Sequence, residues 1–297
     1  MIVNDLVRQK PLTAAQWTKR IAWRHAVGIL AVAFALFPLI WMISASFDTI
    51  GSLSAQKLIP DRPGLENFRT LFGNPDQPYL TWLKNSIIIS SANAILQMFI
   101  GATAAYALSR FRFKGRKLTL MTILVVQMFP QLLAATSIFL MLADLGKSIP
   151  FLALGQTSAL IIVFAGGALG INAWMLKGFY DTIPSEIDES AKVDGASHAQ
   201  IYFRIILPLA RPVLAVITLL SFIGTMNEFL ITSVILGGNQ KSLTLAVGMQ
   251  QYIDGQYNAH WGPFAAGALI ASVPVMILFL YLQKHVVAGL TAGANKG

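Results

Sequence analysis

Apolar residues gather in six long runs, at 26–47, 87–108, 118–142, 158–176, 213–236 and 264–287, separated by short polar stretches. A hydrocarbon core roughly 30 Å thick takes about 20 residues of helix to cross. Each run therefore predicts one span, and the chain reads as an all-α integral membrane protein with six transmembrane helices. Small residues at Ser44-Ala45-Ser46 resemble a cleavage site after the first run. That run is longer than the about 7–15 residues of a signal core, which predicts a retained span.

Composition agrees: of 297 residues, 55% are hydrophobic and only 12% charged, with mean hydropathy +0.63. Twenty-two Lys and Arg against 13 Asp and Glu leave a net charge of +9, which suggests either nucleic acid or membrane flanks. Their distribution decides. Sixteen lie in the N-terminal tail, after the second and fourth runs and at the C-terminal end, and six on the opposite side. The positive-inside rule then puts both termini in the cytoplasm, and the excess charge is topological, with no nucleic acid partner. The expected organisation is a cytoplasmic tail at 1–25, a six-helix domain at 26–288 and a cytoplasmic tail at 289–297. A cytoplasmic loop at 181–208 and extracytoplasmic loops at 48–84 and 237–263 interrupt the domain.

Several chemistries are missing. Cysteine is absent, which excludes disulfides and thiol catalysis, and the four histidines show no metal-ligand spacing. The runs contain one acid, Glu228, and no Lys or Arg, so a self-contained proton relay is poorly supported. No paired carboxylates, GxSxG or HExxH motif occurs, and GGNQKS lacks the glycine that a phosphate-binding loop needs before Lys241. The chain reads as a non-catalytic subunit whose energy comes from elsewhere.

The segment "DESAKVDGASHAQIYFRIILPLARP", from Asp188 to Pro212, stands out. Pro184-Ser185 with Asp188 predicts a helix start, Gly195 its stop, and Ser197 with Gln200 a second capping box. The first of the two short helices carries Glu186, Asp188 and Glu189 beside small Ala191. Membrane-surface helices favour Lys and Arg on their polar face, so this acid-rich helix suggests a protein partner, with a bilayer-surface helix as the alternative. Within spans, Asn93, Gln97, Gln127, Gln131, Asn172, Asn227 and Glu228 fit either interhelical hydrogen bonding or the lining of a path for an uncharged solute. Of these, Gln127, Asn227 and Glu228 are the candidates for a path or gate. Pro38, Pro130 and Pro274 favour kinks, and Gly166 with Gly170 suggests tight packing in the fourth span.

The pattern Glu189-Ser190-Ala191, then Gly195, then Ile205-Ile206-Leu207-Pro208 resembles the cytoplasmic signature of permease subunits in bacterial ABC importers, with Ser190 in place of a second alanine. Gln127 to Pro130 (QMFP), Thr244 to Tyr252 (TLAVGMQQY) and Gly289 to Gly297 (GLTAGANKG) are similar to the maltose-type, binding-protein-dependent sugar permeases of that family. The N-terminal tail carries no such match. The resemblance implies a multi-pass protein of the bacterial inner membrane that works by alternating access on maltose- or maltodextrin-like oligosaccharides. Its implied partners are a second, unlike permease, two ABC ATPase subunits that hold ATP and Mg, and an extracytoplasmic sugar-binding protein. This chain would bind no cofactor.

By the same resemblance Glu186, Glu189, Ser190, Ala191, Asp194, Gly195, Ala196, Ile205, Leu207 and Pro208 couple to the ATPase. Met249, Gln250, Gln251, Tyr252, Tyr257, His260 and Trp261 form the loop that reaches the binding protein. Gly293, Lys296 and Gly297 lie along the ATPase.

Overall fold

The computed structural model describes residues 18–49, 57–254 and 260–294. After a π turn at Thr18–Ala22, α1 (Trp23–Phe47) and α2 (Glu66–Gly73) lead into α3 (Tyr79–Arg110), the axis of the fold. Then come α4 (Arg116–Gln127), α5 (Gln131–Ser148), α6 (Thr157–Gly166), α7 (Ile171–Asp181) and the short α8 (Ser185–Val193). Next, α9 (His198–Ile201) runs on through a π turn at Tyr202–Ile206 and a further turn at Leu207–Leu209. The chain ends with α10 (Arg211–Met226), α11 (Leu230–Leu236), α12 (Leu245–Gln250) and α13 (Trp261–Ala294). Among the described residues the only extended pairing is one antiparallel bridge, Asp48 with Pro63.

Four helices are long and apolar enough to cross a membrane: Arg20–Phe47, Tyr79–Arg110, Thr157–Asp181 and Trp261–His285. A fifth candidate is a pair, His198–Leu209 with Arg211–Met226, bent by 77°. Six continuous spans are therefore not what forms, and the physical causes are local. The third apolar run splits at Met128–Pro130, where proline cannot donate to the helix ladder. The fifth splits at Asn227–Phe229, where the Glu228 carboxylate accepts from the Ile231 N–H at 2.8 Å and the Thr232 N–H at 2.9 Å. An acidic group there satisfies the orphan donors of α11 and starts a new helix. The expected tight packing in the fourth span divides: Gly167–Leu169 is a 3-10 turn between α6 and α7, so Gly166 and Gly170 flank a break, and only Gly170 is closely packed. A Cβ on Gly166 would touch nothing, while one on Gly170 would run into the Gln127 amide. Pro38 and Pro274 lie inside unbroken helices.

Two buried clusters divide α3 between them. One gathers Leu71, Tyr79, Trp82, Ile89, Leu160, Phe222, Ile235, Leu245, Met249 and Tyr252 around its N-terminal half. The other gathers Ala102, Tyr106, Leu176, Tyr180, Ala191, Ile201, Tyr202, Ile206 and Ile217 around its C-terminal half. At the level between them, polar side chains tie α3 to its neighbours. Asn172 Nδ2 donates to Gln97 Oε1 at 2.8 Å and Ser221 Oγ to the same oxygen at 2.9 Å, while Asn93 Nδ2 donates to Thr225 Oγ1. Asn93, Gln97 and Asn172 thus join helices by hydrogen bonds, as amides do where no water is at hand.

Candidate functional site

The acidic segment folds as two short helices with a sharp stop between them. Gly195 takes φ +82°, Ala196 N–H donates to Ala191 O at 2.9 Å, and Gly195 N–H donates to Lys192 O at 3.0 Å. These two bonds make a Schellman stop, which needs a left-handed residue just past the helix. Beyond it, Ser197 Oγ accepts from the Gln200 N–H and Gln200 Oε1 from the Ser197 N–H, the expected reciprocal cap of α9.

One detail of the sequence reading is corrected. Asp188 does not serve the start of α8; its side chain is buried and pairs with Arg110, with Nε to Oδ2 2.6 Å apart. Arg110 is the last residue of α3, and its Nη2 also donates to Ile183 O at 3.0 Å. Removing one partner of such a buried pair costs about 3–5 kcal/mol, because the other charge stays desolvated. Beside it Tyr106 packs against Tyr180 and Tyr202, with ring centroids 6.4 and 4.8 Å apart, and the Tyr202 hydroxyl lies 3.2 Å from Thr103 Oγ1. Phe111 meets His198 edge to face at 5.4 Å.

The result is a helix with two distinct faces. Asp188 and Ala191 point into the protein, while Glu186, Glu189, Ser190, Asp194 and Gly195 are exposed. Val193 is 88% exposed, and Phe203 on the following turn is 55% exposed. Ala196, Ile205, Leu207 and Pro208 are half-buried and seat the loop on the bundle. Of the residues expected to couple, then, Ala191 is turned inward and the rest are wholly or partly accessible.

The opposite end of α3 organises a second surface. Trp82 Nε1 donates to Gln240 O at 2.7 Å, Asn85 Nδ2 to Lys241 O and Leu243 O at 2.9 Å each, and Ser86 Oγ accepts from the Leu245 N–H at 2.7 Å. Gly248 lies against the Trp82 ring so closely that a Cβ would collide with it. The Tyr79 hydroxyl donates to Gly267 O at 2.7 Å. Asn67 Nδ2 faces the carbonyls of Ser46 and Asp48 at 3.1 and 2.8 Å, closing the C-terminal end of α1.

On this surface the seven expected loop residues separate. Met249 and Tyr252 are buried, and burial pushes the Tyr252 phenol above its ordinary value. They hold the loop and do not present it. Gln250 and His260 are exposed, Gln251 and Trp261 are partly so, and Gln251 Nε2 donates to Gln240 Oε1 at 3.2 Å. The His260 N–H donates to Tyr252 O at 2.7 Å and closes the base of the loop, while Tyr257 lies outside the described residues.

Of the path candidates, Asn227 is exposed and lines a cavity of about 720 Å³ with Met42, Met226, Phe229, Gln250 and Met276. Glu228 caps α11 and also accepts from Thr232 Oγ1 at 2.6 Å. Gln127 lies exposed against Gly170. The structure does not bring these three together into one site. The terminal α13 continues past Gly293 to Ala294, seven residues beyond the apolar run, while Lys296 and Gly297 lie outside the described residues. No group of three metal-ligating side chains forms among the described residues. Sequence reasoning missed Arg110 and the anchors Trp82, Asn85 and Ser86; their partners lie about 70 to 160 positions away, and no local motif marks them.

Residues 97–291 match the family described as "Binding-protein-dependent transport system inner membrane component". The chain is 38% identical over 304 residues to the maltose/maltodextrin transport system permease protein MalG of Vibrio vulnificus (strain YJ016), covering 98% of this chain and 99% of the relative. It is also 38% identical over 279 residues to the galactooligosaccharides transport system permease protein GanQ of Bacillus subtilis (strain 168), covering 94% and 96%. Among solved structures, a bacterial ABC transporter involved in the import of the acidic polysaccharide alginate covers 92% of this chain and 98% of its own, at TM-score 0.72 and 24% identity; that likeness shows the fold. A family match over residues 97–291, which includes α8, together with relatives similar along nearly the whole length, makes this chain a member of the binding-protein-dependent transport system inner membrane components.

Proposed function

We propose that this chain is the permease subunit of an ATP-driven importer, and that with a second, unlike permease it forms the path for maltose- or maltodextrin-like oligosaccharides. The observation that carries this reading is the two-faced α8. Its inner face is fixed to α3 by a buried ion pair, while its outer face offers acids around an exposed valine. Such a face suits a partner with an apolar slot and basic rim, the kind of surface a cytoplasmic ATPase subunit would present.

In this reading α8 and both termini are cytoplasmic, and the loops at 48–84 and 237–263 face outward. The third and fifth crossings are broken helices, which suits alternating access because irregular backbone within a membrane is tolerated where protein or a water-filled cavity covers it. The ATPase subunits carry ATP and Mg; this chain supplies no catalytic group and no cofactor site. Gln250, Gln251, His260 and Trp261 face an extracytoplasmic sugar-binding protein, and the end of the chain from Gly293 lies along the ATPase. The relatives named for maltodextrin and galactooligosaccharide support a neutral oligosaccharide as cargo.

The test is reconstitution in proteoliposomes with and without the ATPase, the second permease and a sugar-loaded binding protein. Uptake of labelled maltose is expected only when all are present and ATP is supplied. Uptake by this chain alone, without ATP, would overturn the reading in favour of a stand-alone carrier.

A further inference from the structure

We propose that Arg110 and Asp188 are positioning residues for transport: they latch α8 to α3, so that movement of α8 is delivered along α3 to both ends of the molecule. The proposal rests on the reading of α8 as the helix that meets the ATPase.

Alone, α8 is a poor conveyor of force. It has nine residues, fewer than a helix needs to be stable by itself, and turns flank it on both sides. One guanidinium holds it at two points, by an ion pair from Nε to Asp188 in its first turn, without hydrogen-bond alignment, and by a hydrogen bond from Nη2 to Ile183 O in the turn that enters it. A planar fork holds direction as well as distance, which a single point charge does not. Because Arg110 is the final residue of α3, its grip is set by the axis of that helix.

From there the connections are continuous. One turn back, Tyr106 packs on Tyr180, which precedes α8, and on Tyr202, which follows it. Halfway along, Asn93 and Gln97 bond to Thr225, Ser221 and Asn172, close to the breaks in the fourth and fifth apolar runs. At the far end Trp82, Asn85 and Ser86 hold the backbone of residues 240–245. With 32 residues, α3 is about 48 Å long, enough to join one surface of the protein to the other. No other described helix holds both the α8 loop and the 240–245 segment by side-chain hydrogen bonds or ion pairs.

The test uses the complete transporter with both permeases, the ATPase and the binding protein, and labelled maltose as the probe. The chain has no cysteine, so Val193→Cys gives a unique crosslinking site to the ATPase. In that background Asp188→Asn and Arg110→Lys are compared with the parent by crosslink yield and by maltose imported per ATP hydrolysed. Arg110→Lys keeps the buried carboxylate neutralised, so it preserves the fold while losing the two-point grip. For Arg110→Lys the expected result is a crosslink yield within about twofold of the parent and a maltose-to-ATP ratio lowered about fivefold, whereas Asp188→Asn, which leaves the guanidinium buried without its partner, lowers both. An unchanged ratio in both variants overturns the proposal. Crosslink and ratio falling together in Arg110→Lys also overturns it, since the pair would then only fold the loop. A parent that forms no crosslink, or imports no maltose with ATP, instead defeats the underlying reading of α8.

Discussion

Replacing Gly195 separates two reasons why a glycine sits after α8. A Cβ there would meet nothing within 4 Å in this chain, so crowding inside the protein plays no part. What remains is φ +82°, or the space a partner requires. If the backbone is the reason, Gly195→Ala costs about 1 kcal/mol, since a left-handed residue other than glycine loses roughly 1–2 kcal/mol and the stiffer unfolded chain returns a part of it. Asn tolerates this region and costs about half as much, whereas β-branched Val costs about 2 kcal/mol or more. About 1 kcal/mol is close to a fivefold change in the population of the closed turn.

The Ala196 and Gly195 amides report on that turn, through their bonds to Ala191 O and Lys192 O. Hydrogen exchange at these two amides, measured alongside ATP-driven maltose uptake in proteoliposomes, should rank the proteins Gly, Asn, Ala, Val from best to worst. A ranking by size, with Ala ahead of Asn, would refute the backbone argument and assign the glycine to clearance for a partner.

Three further outcomes are expected. Val193→Asp places a charge on a side chain that is 88% exposed, so thermal stability in detergent should shift by less than about 0.5 kcal/mol while co-purification of the ATPase is lost. Gly248→Ala drives a methyl into the Trp82 ring and should destabilise the protein by about 1–3 kcal/mol, read as lowered melting temperature and faster proteolysis near residues 240–254. Glu228→Gln leaves one acceptor oxygen for the donors of Ile231, Thr232 and the Thr232 hydroxyl, and removes the charge at the start of α11; a loss of about 1 kcal/mol by the same melting assay is expected, and no loss would deny the capping role.

The long apolar runs were legible because a bilayer demands about 20 residues regardless of context. The first, second, fourth and sixth appear as spanning helices for that reason. Breaks were harder. Pro130 announces one through its missing donor, but at Asn227–Phe229 the cause is a carboxylate reaching forward to backbone N–H groups, and an acid in an apolar run reads equally well as a gate. In the acidic segment Gly195 and the Ser197–Gln200 box were visible because caps are local. The role of Asp188 was not, since its partner Arg110 lies 78 residues earlier on another helix. Met249 and Tyr252 looked like presented loop residues; with Leu245 they recur at helical spacing, a pattern that marks an inward face.

The anchoring of α3 also bears on how the polypeptide matures. Ribosomes deliver chains N-terminus first, and Trp82 finds its acceptor at a residue 158 positions later. Throughout that interval the N-terminal third of α3 lacks its keystones, and Trp82, Asn85 and Ser86 have to find other partners. The surface around Trp82 consequently sets after the Gly195 turn, and a nascent chain stopped short of residue 240 carries a closed α8 loop at one end of α3 and loose anchors at the other.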